Sequence, residues 1–451
     1  MADRAPKILW EKGGNFNAQI HRFTVGNDHE LDARLVYCDI LGTLAHVTML
    51  NKIKQISDRE LHDLKSELIT LYHRAKMNEL IIEEGVEDVH SQIEFMLTQK
   101  LSETGQKIHS GRSRNDQILV DIKLYIRDEI RNIVKLTDRL FKRLIGLSEN
   151  YKAVLMPGYT HMQIAMPSSF GLWFGAYAES LIDDMIVIRC AYELVNKNPL
   201  GSAAGYGSSF PLDRQMTTKL LGFNDLHYNS VYAQMSRGKT ERTVSQALAT
   251  LAGTLSRLAM DIILYMGQNF GFISFPEELT TGSSIMPHKK NPDVFELIRA
   301  RCNRIQAVPA EIILITANLP SGYHRDLQIM KDHFFQTFDD LKDCLEIMEF
   351  MLGQMQINQN ILDDPLYDHL FSVEEVNKRV LTGLPFRQAY RQVAEQIKNG
   401  GFQPSHREIT HTHIGSIGNL CNHQIKDTMK KIIRGFHFEK YERAIRYLLK
   451  K

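Results

Sequence analysis

The sequence predicts an all-α protein built around a bundle of long helices. Apolar residues recur in alternating steps of four and three within Thr240–Phe270, at Val244, Leu248, Leu251, Leu255, Leu258 and Ile262. This spacing places them in one seam along a helix face. A similar seam runs through 117–150, and strand patterns are sparse. Helices of about 30 residues are about 45 Å long, so they need long partners.

Two more segments have the pattern of long helices, Ser169–Lys197 and Asp293–Asn318, and Pro309 should kink the second. Around them we expect three helical domains. Residues 1–105 hold shorter helices, 106–360 hold the central bundle with a polar loop at 280–292, and 361–451 return to shorter helices. Wide apolar stripes leave a face to bury, so an oligomer is expected.

Composition excludes several classes of function. The chain has 451 residues and a formal net charge of +1, which gives no general attraction to nucleic acid or to a membrane surface. Five scattered cysteines without a CxxC pair favour a reducing cytoplasm over a disulfide framework. No uncharged apolar run has the length of a membrane span, and the N-terminus has no secretory signal.

Chemistry is expected where the helical pattern breaks into polar loops. Four such loops stand out: His109–Gln117, Met156–Pro167, Gly282–Pro292 and Leu319–Lys331. Each has a plain structural interpretation as well as a functional one. The second, for example, places His161 on a turn opened by Pro157 and Gly158, where it is either a hydrogen-bonded structural histidine or an acid, base or metal ligand.

The residues of the first and third loops limit the kinds of binding or catalytic site that these loops can form. Arg112 and Arg114 lie at a predicted helix start, where they form either a carboxylate or phosphate site or a capped helix with solvated arginines. The Gly-Ser-Ser turn of the third loop fits neither a Walker loop nor a GxSxG elbow. We expect no metal, because the sequence has no HExxH string and the histidines of His411–His413 lack a ligand spacing.

Three of these strings together resemble a known family. GSSIMPHKKNP resembles the signature loop of the fumarase/aspartase superfamily, and HSGRSRNDQ and MPGYTHMQ narrow the resemblance to the argininosuccinate lyase family. EDVHSQIE and PLGSAAGYGSSFPLDR are similar to that family as well. The resemblance covers roughly residues 15–360.

The resemblance implies a homotetramer with a central bundle of twenty helices and active sites built from three subunits. It implies a lyase that reversibly eliminates arginine from the small molecule argininosuccinate, giving fumarate, without cofactor or metal. Removing a proton next to a carboxylate creates a doubly charged intermediate. One oxyanion donor contributes only about 3–4 kcal/mol, so several must converge.

The resemblance also assigns roles to residues. Ser283 is the general base, a role that a hydroxyl fills only when its oxyanion is stabilised by loop N–H groups or by Lys289. His161 pairs with Glu296. The substrate-binding residues are expected to be Ser113, Arg114, Asn115, Thr160, Gln163, Asn291, Tyr323, Gln328 and Lys331.

The sequence departs from the family pattern around the arginine side of the pocket. Asp28 stands where serine is usual, and we expect it to bind the guanidinium end of the substrate. Other departures are Met166, Ile329, Met330 and 231–242.

Four alternatives stay open. The protein could be another lyase of the superfamily, a lyase for a modified substrate, a non-catalytic structural relative, or a phosphate or RNA binder. The near-zero net charge disfavours the last.

Overall fold

The computed structural model describes residues 18–83, 86, 88–405, 407–409 and 411–450. These residues form mostly α-helices, which confirms the all-α prediction. The N-terminal helices are α1 (Ala18–Val25), α2 (Asp28–Ala33), α3 (Val36–Lys52), α4 (Asp58–Lys76), α5 (Val89–Leu101) and α6 (Glu103–Gln106). The central helices are α7 (Arg114–Asn150), α8 (Phe170–Val195), α9 (Arg214–Leu220), α10 (Ser230–Met235), α11 (Lys239–Met266), α12 (Asp293–Ile305), α13 (Val308–Ile315) and α14 (Lys331–Gln354). The last helices are α15 (Ser372–Leu381), α16 (Phe386–Lys398), α17 (Asn422–Arg434) and α18 (Phe438–Leu448).

Short strands connect some of these helices. They are paired as β1 (Leu155–Thr160) with β2 (Gln163–Ser169), β3 (Lys197–Asn198) with β4 (Asp225–Leu226), and β5 (Ile273–Ser274) with β6 (Gln356–Ile357). The turn expected at Pro157 and Gly158 is wrong, because β1 runs through both residues. The chain reverses instead at His161 and Met162.

The long helices pack side by side. Helix α7 lies against α8 and α14, and α11 lies against α8 and α12. The predicted seam of α11 is buried from Val244 to Ile262. Helix α7 has 37 residues and is therefore about 55 Å long. The kink expected near Pro309 is a full break, because α12 ends at Ile305 and Pro309 is the second residue of α13.

Part of the bundle surface is apolar and uncovered in the single chain. By length and composition alone, the segment Ser230–Met266 could cross a membrane, and 44% of its most apolar stretch is buried in the single chain. Helix α11, which forms most of this segment, packs in the bundle against α8, α12, α13 and α14. Large apolar side chains exposed on the bundle helices are Ile186, Val187, Leu194, Met260, Leu297, Ile313, Leu314, Ile347 and Phe350. The division into three domains stays a prediction.

A buried ionic cluster joins the N-terminal helices to α7. His90 of α5 places Nδ1 2.8 Å from Oδ1 of Asp39 on α3 and 3.6 Å from Oδ2 of Asp121 on α7. Burial by itself lowers the pKa of His90, but the Asp39 carboxylate, with Asp88 and Asp121, outweighs burial and raises that pKa to about 9. The imidazole is therefore charged at neutral pH and ties three helices together.

Replacing His90 with glutamine should destabilise the protein in a pH-dependent way. The pKa of His90 rises from 6.5 to about 9 on folding, so its stabilisation is complete below pH 6.5 and is lost as the pH approaches 9. The free-energy deficit of His90→Gln should therefore shrink by about 3 kcal/mol between pH 6 and pH 9.5. Thermal unfolding midpoints of variant and wild type at both pH values measure this change.

The matched control is His62→Gln, which replaces an exposed histidine on α4. This control should shift the midpoint little at either pH. A His90→Gln deficit of the same size at both pH values would contradict a charged role for His90.

Candidate active site

A cavity lies where α2, α5, α7 and α14 meet, and charged side chains dominate its lining. About 200 Å³ of it is open to water-sized molecules. The lining residues are Val25, Asp28, Asp32, Asp88, His90, Arg114, Asn115, Ile118, Arg237, Tyr323, Arg325, Gln328 and Lys331. Both signs of charge converge here, so the cavity suits a ligand that carries carboxylates and a cation together.

The start of α7 brings two predicted residues into the cavity. Ser113 caps the helix, since its Oγ accepts from the Asn115 N–H at 3.2 Å and the Asp116 carboxylate accepts from the Ser113 N–H at 2.9 Å. This reciprocal cap fixes Arg114 and Asn115 in the first turn, where N–H groups favour anions. Ser113 itself is not among the lining residues.

Arg114 is held by the start of α5. Its guanidinium lies 3.3 Å from Oδ2 of Asp88 and donates to Oγ of Ser91 at 2.8 Å. Burial alone would raise the pKa of Asp88, but the positive charges of His90 and Arg114 outweigh burial and keep it below its usual range. Arg112, in contrast, is buried away from the cavity lining and donates to Oγ1 of Thr43 at 2.8 Å. Arg112 therefore supports the fold rather than the cavity.

Lys331 lies at the α2 side of the cavity and holds two carboxylates. Its Nζ lies 2.7 Å from Oδ1 of Asp28 and 2.6 Å from Oδ1 of Asp32. The Lys331 side chain is only 5% exposed. The predicted contact Gln328 is likewise engaged by the protein, because its Nε2 donates to the backbone oxygens of Thr24 and Val25 at 2.9 and 3.3 Å.

The polar loop 280–292 leads into α12. The backbone N–H of Asn291 donates to the Thr281 oxygen at 2.8 Å, which closes the loop at its base. Oγ of Ser283 accepts from the N–H groups of Ile285 and Met286 at 3.3 and 3.2 Å. Two N–H groups aimed at one hydroxyl oxygen stabilise negative charge on that oxygen.

His161 lies at the tip of the β1–β2 hairpin. His161 and Met162 have φ angles of +54° and +59°, a conformation that costs energy for residues other than glycine. Thr160 and Gln163 flank the tip and pair with each other. All four residues are exposed, so the hairpin presents the His161 ring and its neighbours outward.

The loop and the hairpin lie at the opposite end of the bundle from the cavity. Arg237 lines the cavity, and helix α11 begins two residues later, at Lys239. The helix has 28 residues and is therefore about 42 Å long. Helix α12 runs back along it, since Asn303 accepts a 2.8 Å hydrogen bond from Ser256, which places loop 280–292 beyond the α11 end. Tyr159 of the hairpin packs on Phe270 and Phe272, which follow that same end.

A single chain therefore gathers some of the predicted residues and separates the others. The cavity collects Asp28, Arg114, Asn115, Tyr323, Gln328 and Lys331. Residues outside the cavity lining are Ser113, Thr160, His161, Gln163, Ser283, Lys289, Asn291 and Glu296. The structure has no hydrogen bond or ion pair between the described side chains of His161 and Glu296, so that pairing stays a prediction.

Five charged residues of the lining were not predicted from the sequence as site residues: Asp32, Asp88, His90, Arg237 and Arg325. Asp32 lies four residues after the predicted Asp28, Asp88 and His90 lie in the string EDVHSQIE, and Arg325 lies in the polar loop Leu319–Lys331. Arg237 lies in 231–242, a segment that was identified only because it departs from the family pattern. Reading each charged residue of these strings as a candidate would have found them.

One group of described residues has the geometry of a cation site. Ligand atoms of Asp39, His90 and Asp121 lie within 4.8 Å of one another. The negative charge of the two carboxylates raises the pKa of His90 and so favours a proton on the imidazole, and this proton competes with any metal ion. The observed ion pairs account for the cluster as a structural tie.

Comparison with known proteins identifies the family. The sequence profile of a family described as Lyase matches residues 24–307. The fold is similar to that of EDDS lyase in complex with formate, with a TM-score of 0.74 and 19% identity over 96% of this chain and 95% of that one. It is also similar to class II fumarase from Schistosoma mansoni, with a TM-score of 0.70 and 17% identity over 94% and 96%.

Curated relatives match over almost the whole length. The argininosuccinate lyase of Bacteroides fragilis is 58% identical over 441 residues, which are 98% of both chains. That of Parabacteroides distasonis is 58% identical over 98% of this chain and 99% of its own. That of Thermotoga neapolitana is 37% identical over 86% and 98%. The chain therefore belongs to the argininosuccinate lyase family of lyases.

Proposed function

We propose that the protein cleaves argininosuccinate reversibly to arginine and fumarate, in arginine biosynthesis in the cytoplasm. The observation that carries this proposal is the 58% identity to argininosuccinate lyases over 98% of the chain. The cavity supports it, because argininosuccinate carries three carboxylates and two cationic groups. Arg114 and the start of α7 suit the carboxylates, and Asp28, Asp32 and Asp88 suit cations.

Ser283 acts in this proposal as the general base. The proton leaves the carbon next to a succinyl carboxylate, and its electron pair moves into that carboxylate. The pair then forms the double bond of fumarate as the carbon–nitrogen bond to the guanidine breaks. The two N–H groups on Ser283 Oγ stabilise the oxyanion that a basic serine requires.

Residues around Ser283 complete the chemistry. Lys289 is exposed on the same loop and would neutralise the charge that accumulates on the carboxylate. Asn291 donates to the Gly282 oxygen at 3.2 Å, which shapes the serine turn. His161, oriented by Glu296, would deliver the proton to the leaving guanidine.

The remaining residues position the substrate. Arg114 and Asn115 would bind the succinyl carboxylates from the cavity, with Ser113 holding their helix start. Thr160 and Gln163 would approach from the hairpin. Tyr323 lines the cavity and is 36% exposed, and it would contact the substrate there. No step in this scheme requires a metal or cofactor.

The active form in this proposal is a homotetramer with shared sites. The cavity and the loop lie at opposite ends of one bundle, and reacting groups must come within about 3.5 Å of each other. Other copies of the chain supply the missing groups when bundles associate side by side. The exposed apolar side chains on the bundle helices provide the surface for this association.

Incubating the purified protein with argininosuccinate and recording the ultraviolet absorbance of fumarate tests the proposed function. Adenylosuccinate and aspartate run beside it distinguish this activity from that of other lyases. Fumarate from argininosuccinate alone is the expected result. Fumarate from another substrate would show that the assigned substrate is wrong. If an assembled, folded protein released no fumarate from any of the three, the proposed lyase activity would be contradicted.

Replacing Ser283 with alanine should lower the turnover number about 10²- to 10⁴-fold, the usual contribution of a positioned base. The side chain is on a surface loop, so folding and assembly should be unchanged. Steady-state kinetics measure the loss. Ser284→Ala, the neighbouring and more exposed serine, is the matched control and should keep most of the activity. Normal turnover by Ser283→Ala would contradict the assignment.

Mixing two inactive variants should restore activity if sites are shared. Ser283→Ala lacks the loop group and Asn115→Ala lacks a cavity group, and each leaves the other half intact. Random assembly from an equal mixture gives up to about a quarter intact sites. Refolding the variants together and separately, followed by the fumarate assay, measures this gain. No gain from mixed tetramers would contradict a shared site.

A further inference from the structure

Asp116 joins the first turn of α7 to a neighbouring loop through hydrogen bonds to backbone N–H groups. Its Oδ1 accepts from the Ser113 N–H at 2.9 Å, which closes the helix cap. Its Oδ2 accepts from the N–H groups of Gly201 and Ala203, at 2.9 and 3.0 Å. One buried carboxylate thus holds the start of α7 and the loop 199–205 together.

The same loop is fixed to α10 by Gln234. The Gln234 side chain donates from Nε2 to Oγ of Ser202 and to the Ala203 oxygen, both at 3.2 Å. The Arg237 N–H donates to the backbone oxygen of Gln234 at 3.1 Å. Since Arg237 lines the cavity, the loop is tied to a cavity residue at this end as well.

Together these bonds form one continuous connection, here called the polar bridge, which consists of Asp116, Gly201, Ser202, Ala203 and Gln234. The side chains of the polar bridge are buried, so water does not compete for their hydrogen bonds. Burial raises the pKa of Asp116 to about 6, although the three N–H groups and the Arg112 guanidinium oppose this rise. The carboxylate is therefore charged at neutral pH, and its hydrogen bonds are of the stronger, charge-assisted kind.

The loop is held in a strained shape at the polar bridge. Gly201 and Ala203 have φ angles of +86° and +52°, and such an angle costs energy at Ala203. This shape aims two N–H groups at one carboxylate oxygen. The loop also packs tightly on α10, because a β-carbon at Gly205 would lie 2.7 Å from Cγ of Gln234. Strain that is retained beside a cavity points to a role in function.

We propose that Asp116 is a positioning residue for the reaction, since through the polar bridge it fixes the first turn of α7 relative to Arg237 across the cavity. This inference rests on the proposed function, in which Arg114 and Asn115 bind the succinyl carboxylates. Asp116 is not among the lining residues, so it acts through its two helix neighbours. A displacement of about 1 Å is enough to weaken such contacts strongly.

Asp116→Asn and Gln234→Met test the two ends of the polar bridge. Asparagine presents an NH₂ group where Asp116 accepts hydrogen bonds, and methionine removes the donor of Gln234. The KM for argininosuccinate should rise roughly 10-fold in Asp116→Asn and roughly 3- to 10-fold in Gln234→Met. The kcat should fall by a smaller factor, because binding groups are displaced while the loop of Ser283 is untouched. Steady-state kinetics measure both constants, and isothermal titration calorimetry with succinate measures binding without turnover.

Two controls separate positioning from a general loss of stability. Asp184→Asn replaces a buried carboxylate of α8 whose pKa is likewise raised to about 6 by burial, and it should leave KM and succinate binding unchanged. An Arg114→Gln background removes a group that the polar bridge positions. Adding Asp116→Asn to that background should weaken succinate binding by less than about 3-fold.

Other results would overturn the proposal. Wild-type KM in Asp116→Asn would do so, and so would the same loss of succinate affinity with and without Arg114. A loss in Asp116→Asn but none in Gln234→Met would mean that the helix cap acts alone, without the polar bridge. Gln234→Met also keeps the test decisive if Asp116→Asn fails to assemble. A wild type that releases no fumarate would contradict the proposed function, whereas the succinate affinities would still test the positioning.

Discussion

The length of the bundle helices is the constraint on which the rest of the site depends. Helix α7 spans about 55 Å from Arg114 to Asn150, and the β1–β2 hairpin follows its far end. Helix α11 separates Arg237 from the segment that leads to loop 280–292 in the same way. No rotation of side chains closes such distances. Rigid helices thus place the proposed substrate-binding residues at one end of the chain and the serine loop at the other.

Ion pairs between charged side chains determine how rigid the cavity end of the bundle is compared with the loop end. At the cavity, most charged side chains have protein partners: Arg114 has Asp88, and Lys331 has Asp28 and Asp32. Behind it, the charged His90 ties α5 to α3 and α7 and so holds Asp88 in place. Buried charges keep their geometry only when paired. The cavity is therefore rigid, whereas Ser283 and His161 sit on exposed turns that a neighbouring chain can meet.

The fold followed from the sequence where local rules decide it. Apolar spacing predicted α11, and Ser113 with Asp116 gave α7 its start through a reciprocal cap. The β1–β2 hairpin was missed because Pro157 and Gly158 indicate a turn, although both lie within a strand here. The contact between Asp32 and Lys331 joins residues 299 positions apart, and no local pattern encodes it. The separation of Ser283 from Arg114 likewise depends on the relative directions of the helices, which the structure gives and the sequence does not.

The central claim is that one chain holds only parts of an active site. Specific activity of the wild type should therefore be measured over a dilution series, with the molecular mass determined at each concentration by light scattering or analytical ultracentrifugation. The account predicts that turnover per chain falls in step with the loss of the tetramer and that the monomer is inactive. Full turnover by a monomer would contradict it.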